Sequence, residues 1–397
     1  MLPVYPLRVP LALPYWSGAT YRAALGSFFS GDVVDGPALD ELRSSIIRQL
    51  GVADALLCGS GSFALETALR ACGVGAGDEV VIPTFCCAAV VPPVLSLGAV
   101  PVFADIGEEL NLTDATVEAA LTEKSKAVMV PHLFGNPADM DAIVELARAK
   151  NIRVVDDAAQ ALGATIGSRP VGSFGDAGIL SFGGEKVCSG IGGGAAVSKN
   201  KGLLDRIHPP PLASHSLKSF LSALFWRRWR RWTFPLEPLF SRRPAPGAPP
   251  APYKSEAMAN LGAAVASSLM RTLIENLAAR RARVEAYRSF LGDAERLQLI
   301  AHRPGSACLA QVIRLAPRSR GDDPAARVVE ALGKTGYEVQ GSYVPIHLLP
   351  IYEGWTRRRL AHAERVWADL VELPCEPGVS LNDVERIAAI VRRIAGA

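Results

Sequence analysis

Short apolar runs bounded by polar or turn-forming residues recur through the first half of the chain. They are DEVVIP (78–83), VPVFAD (100–105), KAVMVPHL (126–133), IRVVDDA (152–158), AGILSFG (177–183) and GGAAVSK (193–199). Their length and β-branched content predict buried strands. Between them, FALETALRACG (63–73) and DMDAIVELARAKN (139–151) repeat apolar positions at helical spacing. The alternation predicts a mostly parallel sheet with helical crossovers, in which ligands sit at the carboxyl ends of the strands. The stretch VVDDAAQALGA (154–164) sets two acids, Asp156 and Asp157, at such an end. Successive strand side chains point to opposite faces, so only one of the two faces the site. The other is expected to be solvated, or to cap the helix that the small residues after it can start.

After residue 200 the texture changes. Residues 206–252 are proline-rich and contain FWRRWRRW, and from about 255 a long helical pattern leads into strand, turn and helix signals. The expected organisation is an N-terminal segment (1–35), a large domain (36–205), an insert (206–252) and a smaller C-terminal domain (253–397). A chain of 397 residues with 49% hydrophobic and 20% charged residues suits two packed domains. A net charge of +3 supplies no field for nucleic acid. Seven cysteines without CxxC or zinc spacing suit a reducing compartment, imply no metal site, and make Cys86 and Cys87 core thiols. The apolar N-terminus, MLPVYPLRVPLALPYW, is broken by prolines and resembles neither a membrane span nor a signal peptide. The expected location is the cytoplasm.

Two further stretches carry chemistry. CGSGSFALETAL (58–69) places Gly59, Ser60, Gly61 and Ser62 before a helix, where backbone N–H groups and hydroxyls hold a phosphate or simply cap the helix. SFGGEKVCSGIGGGAAVS (181–198) carries Ser181 and then Lys186 among glycines that permit close approach of a ligand. A phosphate cradle, a strand-end acid and a glycine-framed lysine are the parts a pyridoxal 5′-phosphate site requires. The lysine condenses with the aldehyde, the acid pairs with the ring nitrogen, and the cradle holds the phosphate.

With these residues in place, the sequence resembles the DegT/DnrJ/EryC1/StrS aminotransferases, which typically aminate keto groups on nucleotide-linked sugars. The resemblance runs along nearly the whole chain outside 206–252. It rests on FSGDVVDGP (29–37), GSFALETALRACGVGAGDEVVIPTF (61–85), GAVPVFADI (98–106), PHLFGNPADMDAI (131–143), DDAAQALGA (156–164), VGSFGDAGILSFGGEK (171–186), YVPIHLLPIY (343–352) and LPCEPGVSLNDV (373–384). It implies the α/β PLP-dependent transferase fold of the aspartate aminotransferase type (fold type I), with a large mostly parallel-sheet domain and a smaller C-terminal α+β domain. Lys186 is implied as the cofactor-bonding lysine and proton shuttle, and Asp157, rather than Asp156, as the partner of the pyridinium nitrogen. Gln160 is implied at the ring oxygen. Gly61, Ser62, Phe63 and Ser181 fall to the phosphate side, Cys87 to the ring face, and Tyr343 and His347 to the substrate. An amino acid, by family habit glutamate, donates nitrogen, a keto acceptor collects it, and a homodimer is expected.

Some positions depart from the family pattern. Cys87 stands where an aromatic often covers the ring, Leu162 where a histidine is frequent, and Ser255 where an asparagine reaches the neighbouring subunit's phosphate. Gly183 and Gly184 replace bulkier residues before Lys186. In the insert, Leu217, Phe220, Leu221, Leu224 and Phe225 recur at helical spacing before Trp226, Trp229 and Trp232, which alternate with arginines. Residues 216–234 are therefore open to three readings: a lid packed on the body or partner, a peripheral contact at the inner face of the membrane, or an anionic pocket for a nucleotide diphosphate. The membrane reading would make the enzyme a surface aminotransferase acting on a lipid-linked acceptor. A PLP-dependent dehydratase is disfavoured by Lys186, which related dehydratases replace, and a non-catalytic PLP-binding regulator would tolerate loss of the acid or lysine, both of which are present.

Overall fold

The computed structural model describes residues 8–10, 13, 15–212, 250, 252–319, 321–356 and 358–396. Helix α1 (Gly18–Phe29) is capped by Ser17, whose hydroxyl accepts the Thr20 N–H. Helix α2 (Pro37–Leu50) opens on a proline and closes at Gly51 in the left-handed region. Strand β1 (Asp54–Cys58) leads into α3 (Gly61–Ala71), and β2 (Glu79–Pro83), α4 (Val91–Ser96), β3 (Val100–Ala104) and α5 (Asp114–Ala120) follow. Then come β4 (Ser125–Pro131), α6 (Met140–Ala149), β5 (Arg153–Asp157), a short ribbon of β6 (Thr165–Ile166) and β7 (Arg169–Pro170), β8 (Ala177–Ser181) and β9 (Gly194–Ser198).

Seven of these strands form one sheet in the order β1-β9-β8-β5-β4-β2-β3. From β8 to β3 all pairs are parallel, whereas β9 runs antiparallel to both β8 and β1. Both faces are covered. Val80 and Ile82 pack on the side of α3 and α4, Val81 packs on the side of α6, and none of the three retains exposed surface. Each such side chain contributes roughly 1.5–3 kcal/mol by leaving water. Two-sided burial is why these strands read as apolar runs rather than as alternation.

The chain resumes with α7 (Asn260–Arg271), buried along most of its length and packed on α1 and α2. Asn260 ties it there, accepting the Ala38 N–H and donating to the Asp32 carbonyl. By packing, α7 sits with the large sheet, although the expected C-terminal domain began at 253. Helix α8 (Leu273–Leu291) then carries the chain to a second sheet, made by β10 (Leu297–Leu299), β11 (Ala310–Leu315), β12 (Gln340–Gly341) and β13 (Leu370–Pro374). It is antiparallel, ordered β10-β11-β13-β12. Helices α8, α9 (Pro324–Lys334) and α11 (Leu381–Ala395) cover it, and α10 (Ala361–Val366) docks on the large domain through Asp105, which accepts the His362 and Ala363 N–H groups. The segment 216–234, with its three readings, lies outside the described residues. Among the described residues no helix is long and apolar enough to cross a membrane.

Candidate active site

The alternation of β5 separates the two acids. Val155 and Asp157 face the side of α3, and Val154 and Asp156 face the other. Asp157 lines a cleft of 510 Å³ and its Oδ1 accepts the Ala159 N–H at 2.8 Å. Asp156 is neither solvated nor a helix cap, contrary to the expectation from sequence. It has no exposed surface, its Oδ1 lies 2.6 Å from His132 Nε2, and its Oδ2 accepts the Gly172 and Phe174 N–H groups at 2.8 Å each. No helix follows β5 for it to cap, because residues 159–163 form successive turns that end at Gly163 in the left-handed region.

The loop joining β8 to β9 carries Lys186 into the same cleft. Ser181 ends β8, and α3 points its first turn at it. A side chain added at Gly61 would come within 2.8 Å of Ser181 Oγ, and one at Gly194 within 2.9 Å of the Gly61 backbone. Glycine at both positions therefore lets the helix start approach the strand ends. Ser60 caps α3 by accepting the Phe63 N–H, and the N–H groups of Gly61 and Ser62 in the first turn have no intrahelical acceptor. Gly61→Ala is accordingly expected to push Ser181 out of place and weaken pyridoxal phosphate binding by roughly tenfold, about 1.4 kcal/mol. Titration of the apoprotein with the cofactor checks this, and unchanged affinity would exclude the cradle.

Burial raises the Asp157 carboxyl above the ordinary carboxylate range, while the Ala159 N–H, Lys186 and His132 pull it down and Asp156 pushes it up. A cationic ring N–H placed beside it would offset that burial. Gln160 is held on both sides: its Oε1 accepts the Phe134 N–H at 2.9 Å, and its Nε2 donates to the Tyr343 hydroxyl at 3.1 Å. Tyr343 stacks on Phe134, with ring centroids 5.8 Å apart, and meets Phe85 edge-on. Towards the small domain, Lys186 and Tyr343 border a second hollow of 80 Å³ that also contains Glu372. Burial pushes Glu372 up to about 7, against hydrogen bonds from Gln340 and Ser342.

The residues singled out from sequence divide accordingly. Gly61, Ser62, Cys87, Asp157, Gln160, Ser181 and Lys186 line one cleft. Of the paired thiols, Cys86 is buried and Cys87 half-buried at the cleft wall. Phe63 and Ser255 lie instead on a neighbouring 740 Å³ cleft with Glu66, Arg70 and Tyr253, and the Phe63 N–H is taken by the Ser60 cap. His347 lines neither hollow that holds Lys186, and its Nδ1 lies 2.6 Å from Thr84 Oγ1 and its Nε2 3.4 Å from Glu364. Sequence reasoning missed His132, Phe134 and Glu372. His132 had one available signal, its place directly after a buried strand, but its partner depends on which strand lies beside β4.

A family model described as the DegT/DnrJ/EryC1/StrS aminotransferase family matches residues 20–392. The chain belongs to that family. Its cofactor is pyridoxal 5′-phosphate, and the cleft fits it: a glycine-backed helix start that would take the phosphate, a buried carboxylate that would pair with the ring nitrogen and a lysine that would condense with the aldehyde converge on one space. One relative within the family's reach is a UDP-N-acetyl-3-dehydro-α-D-glucosamine 3-aminotransferase of Acidithiobacillus ferrooxidans, 43% identical over 42% of this chain and 45% of that enzyme. The chain thus spans less than half of that protein at this level of similarity. The GDP-perosamine synthase of Caulobacter vibrioides is 29% identical over 90% of both chains. Among solved structures, the aminotransferase TlmJ from Streptoalloteichus hindustanus superposes with a TM-score of 0.78 at 25% identity, covering 97% of this chain and 98% of the other.

Proposed function

We propose that this family member transfers an amino group from an amino acid, glutamate by preference, to the keto group of a nucleotide-linked sugar. The observation that carries the reading is the convergence of Lys186, Asp157 and the Gly61–Ser181 cradle on one cleft. Pyridoxal phosphate, when bound, supplies an electron sink for a carbanion. The Lys186 amine would remove a proton from the donor's α-carbon and return it at the carbon on the other side of the shared nitrogen, acting as base and then acid. Asp157, buried and facing that lysine, holds a proton on the ring nitrogen. Gln160 and Tyr343 fix the ring's edge, and the sugar-bearing relatives support the choice of acceptor.

The proposed working unit is a homodimer in the cytoplasm. Ser255, placed outside this chain's own lysine cleft, is there offered to the partner's phosphate.

The two half-reactions test the reading separately. The purified holoenzyme mixed with L-glutamate alone should release one equivalent of 2-oxoglutarate and pass its nitrogen to the cofactor. A panel of keto-sugar nucleotides should then reset the visible spectrum for one or a few members. Loading by the amino acid without reset by any sugar nucleotide would reject the acceptor class, and no loading would reject transamination.

A further inference from the structure

We propose that His132 is a positioning residue for Asp157: locked to Asp156 and to the backbone after it, the ring fixes the end of β5 and thereby the carboxylate that faces the cofactor ring. The inference rests on the reading of Asp157 above. His132 Nδ1 accepts the Ala138 N–H at 2.9 Å, so Nε2 carries the ring proton and donates it to Asp156 Oδ1 at 2.6 Å. Both side chains have no exposed surface. Asp156 also draws in the turn before β8 through Gly172 and Phe174. The pair therefore clamps three segments: the ends of β4 and β5 and the entry to β8.

The connection to Asp157 is direct. The His132 backbone N–H donates to the Asp157 carbonyl at 3.2 Å, while the His132 side chain holds the residue before it. Two bonds to adjacent residues fix both the position and the rotation of the strand end. Two residues further along the same turn, Phe134 donates its N–H to Gln160 Oε1 and so orients that side chain. Phe134 does so from a left-handed backbone, at φ +56°, a conformation costing a side-chain-bearing residue about 1–2 kcal/mol. That geometry is held by Asn111, which accepts the Leu133 N–H and donates to the Asn136 carbonyl, and by Leu309 and Ala307, whose N–H groups reach the Phe134 and Gly135 carbonyls. A strained turn tied this completely beside the cofactor side of the sheet is a device for placing groups. The charged and titratable groups around Asp157 are Lys186, His132, Asp156 and Cys86.

The test uses the full chain with ¹⁵N-labelled pyridoxal phosphate. In the wild-type holoenzyme the ring nitrogen should carry a proton with a strongly downfield resonance. His132→Asn and Asp156→Asn should move that resonance upfield and weaken cofactor binding about tenfold, measured by equilibrium titration. Lower melting temperatures with an unmoved ring N–H proton resonance and unchanged affinity would reduce the pair to a structural role and overturn the proposal. Should both variants fail to fold, the wild type still decides: the Nε2 proton of His132 should shift when pyridoxal phosphate is added to the apoprotein, and an unmoved signal overturns the inference. A wild-type protein that binds no cofactor refutes the reading of Asp157 itself, a result distinct from either.

Discussion

Replacing Lys186 by alanine is expected to lower transamination by about 10⁴-fold or more, because the variant loses both the covalent link to the cofactor and the only proton carrier assigned to the reaction. The cofactor should still bind, held by the Gly61–Ser181 cradle and Asp157, and should wash out on dialysis. Borohydride applied to the wild type should fix the cofactor to one peptide, the one containing Lys186. A rival is present in the same cleft: Lys254 also lines it, and its carbonyl accepts the Ser60 hydroxyl. Peptide mapping after reduction separates the two, since an adduct on Lys254 would refute the assignment and Lys254→Ala should leave the adduct in place.

The two neighbouring acids should fail in different ways. Asp157→Asn removes the negative charge proposed to face the ring nitrogen, so the chemical step should slow by about 10³-fold, roughly 4 kcal/mol of barrier. Its melting temperature should change little, because the variant no longer buries a charge there. Asp156→Asn should unfold more easily. Its side chain meets three donors, from His132, Gly172 and Phe174, and an amide NH₂ set among them leaves at least one buried donor facing another. That arrangement costs about 1–3 kcal/mol for each unsatisfied group. Thermal melts and single-turnover rates on both variants make the comparison, and equal rate losses with equal melting shifts would contradict the division of roles.

How much of this could be read from the chain depends on the range of the interaction. The strands around Val80–Ile82 and Val128–Val130, the alternation that separates Asp156 from Asp157, and the glycine-framed Lys186 are local patterns, and the structure has them at those positions. The fate of Asp156 was not legible, because its partner, 24 residues upstream, becomes a neighbour only once β4 pairs with β5. The antiparallel direction of β9 left no mark either, since apolar content says nothing of strand direction. Helix α7 misleads for a similar reason: Asn260, Ser267 and Ser268 are polar yet buried, and only the surrounding helices explain them.

That reversed strand has a consequence for motion. Because β9 returns beside β8, the lysine loop is closed at its base by the Ser181–Gly194 pair. It is further stapled from outside, where Asn276 donates to the Val187 carbonyl and the Trp16 indole donates to the Ser189 carbonyl. The main chain on either side of Lys186 has little freedom to swing, so the amine must travel by rotation about its own side-chain bonds. Rotations of exposed side chains take picoseconds to nanoseconds, whereas loop displacements extend to microseconds. On the reading proposed above, in which Lys186 carries the proton, the amine reaches both carbon partners by side-chain rotation alone, without displacement of the loop.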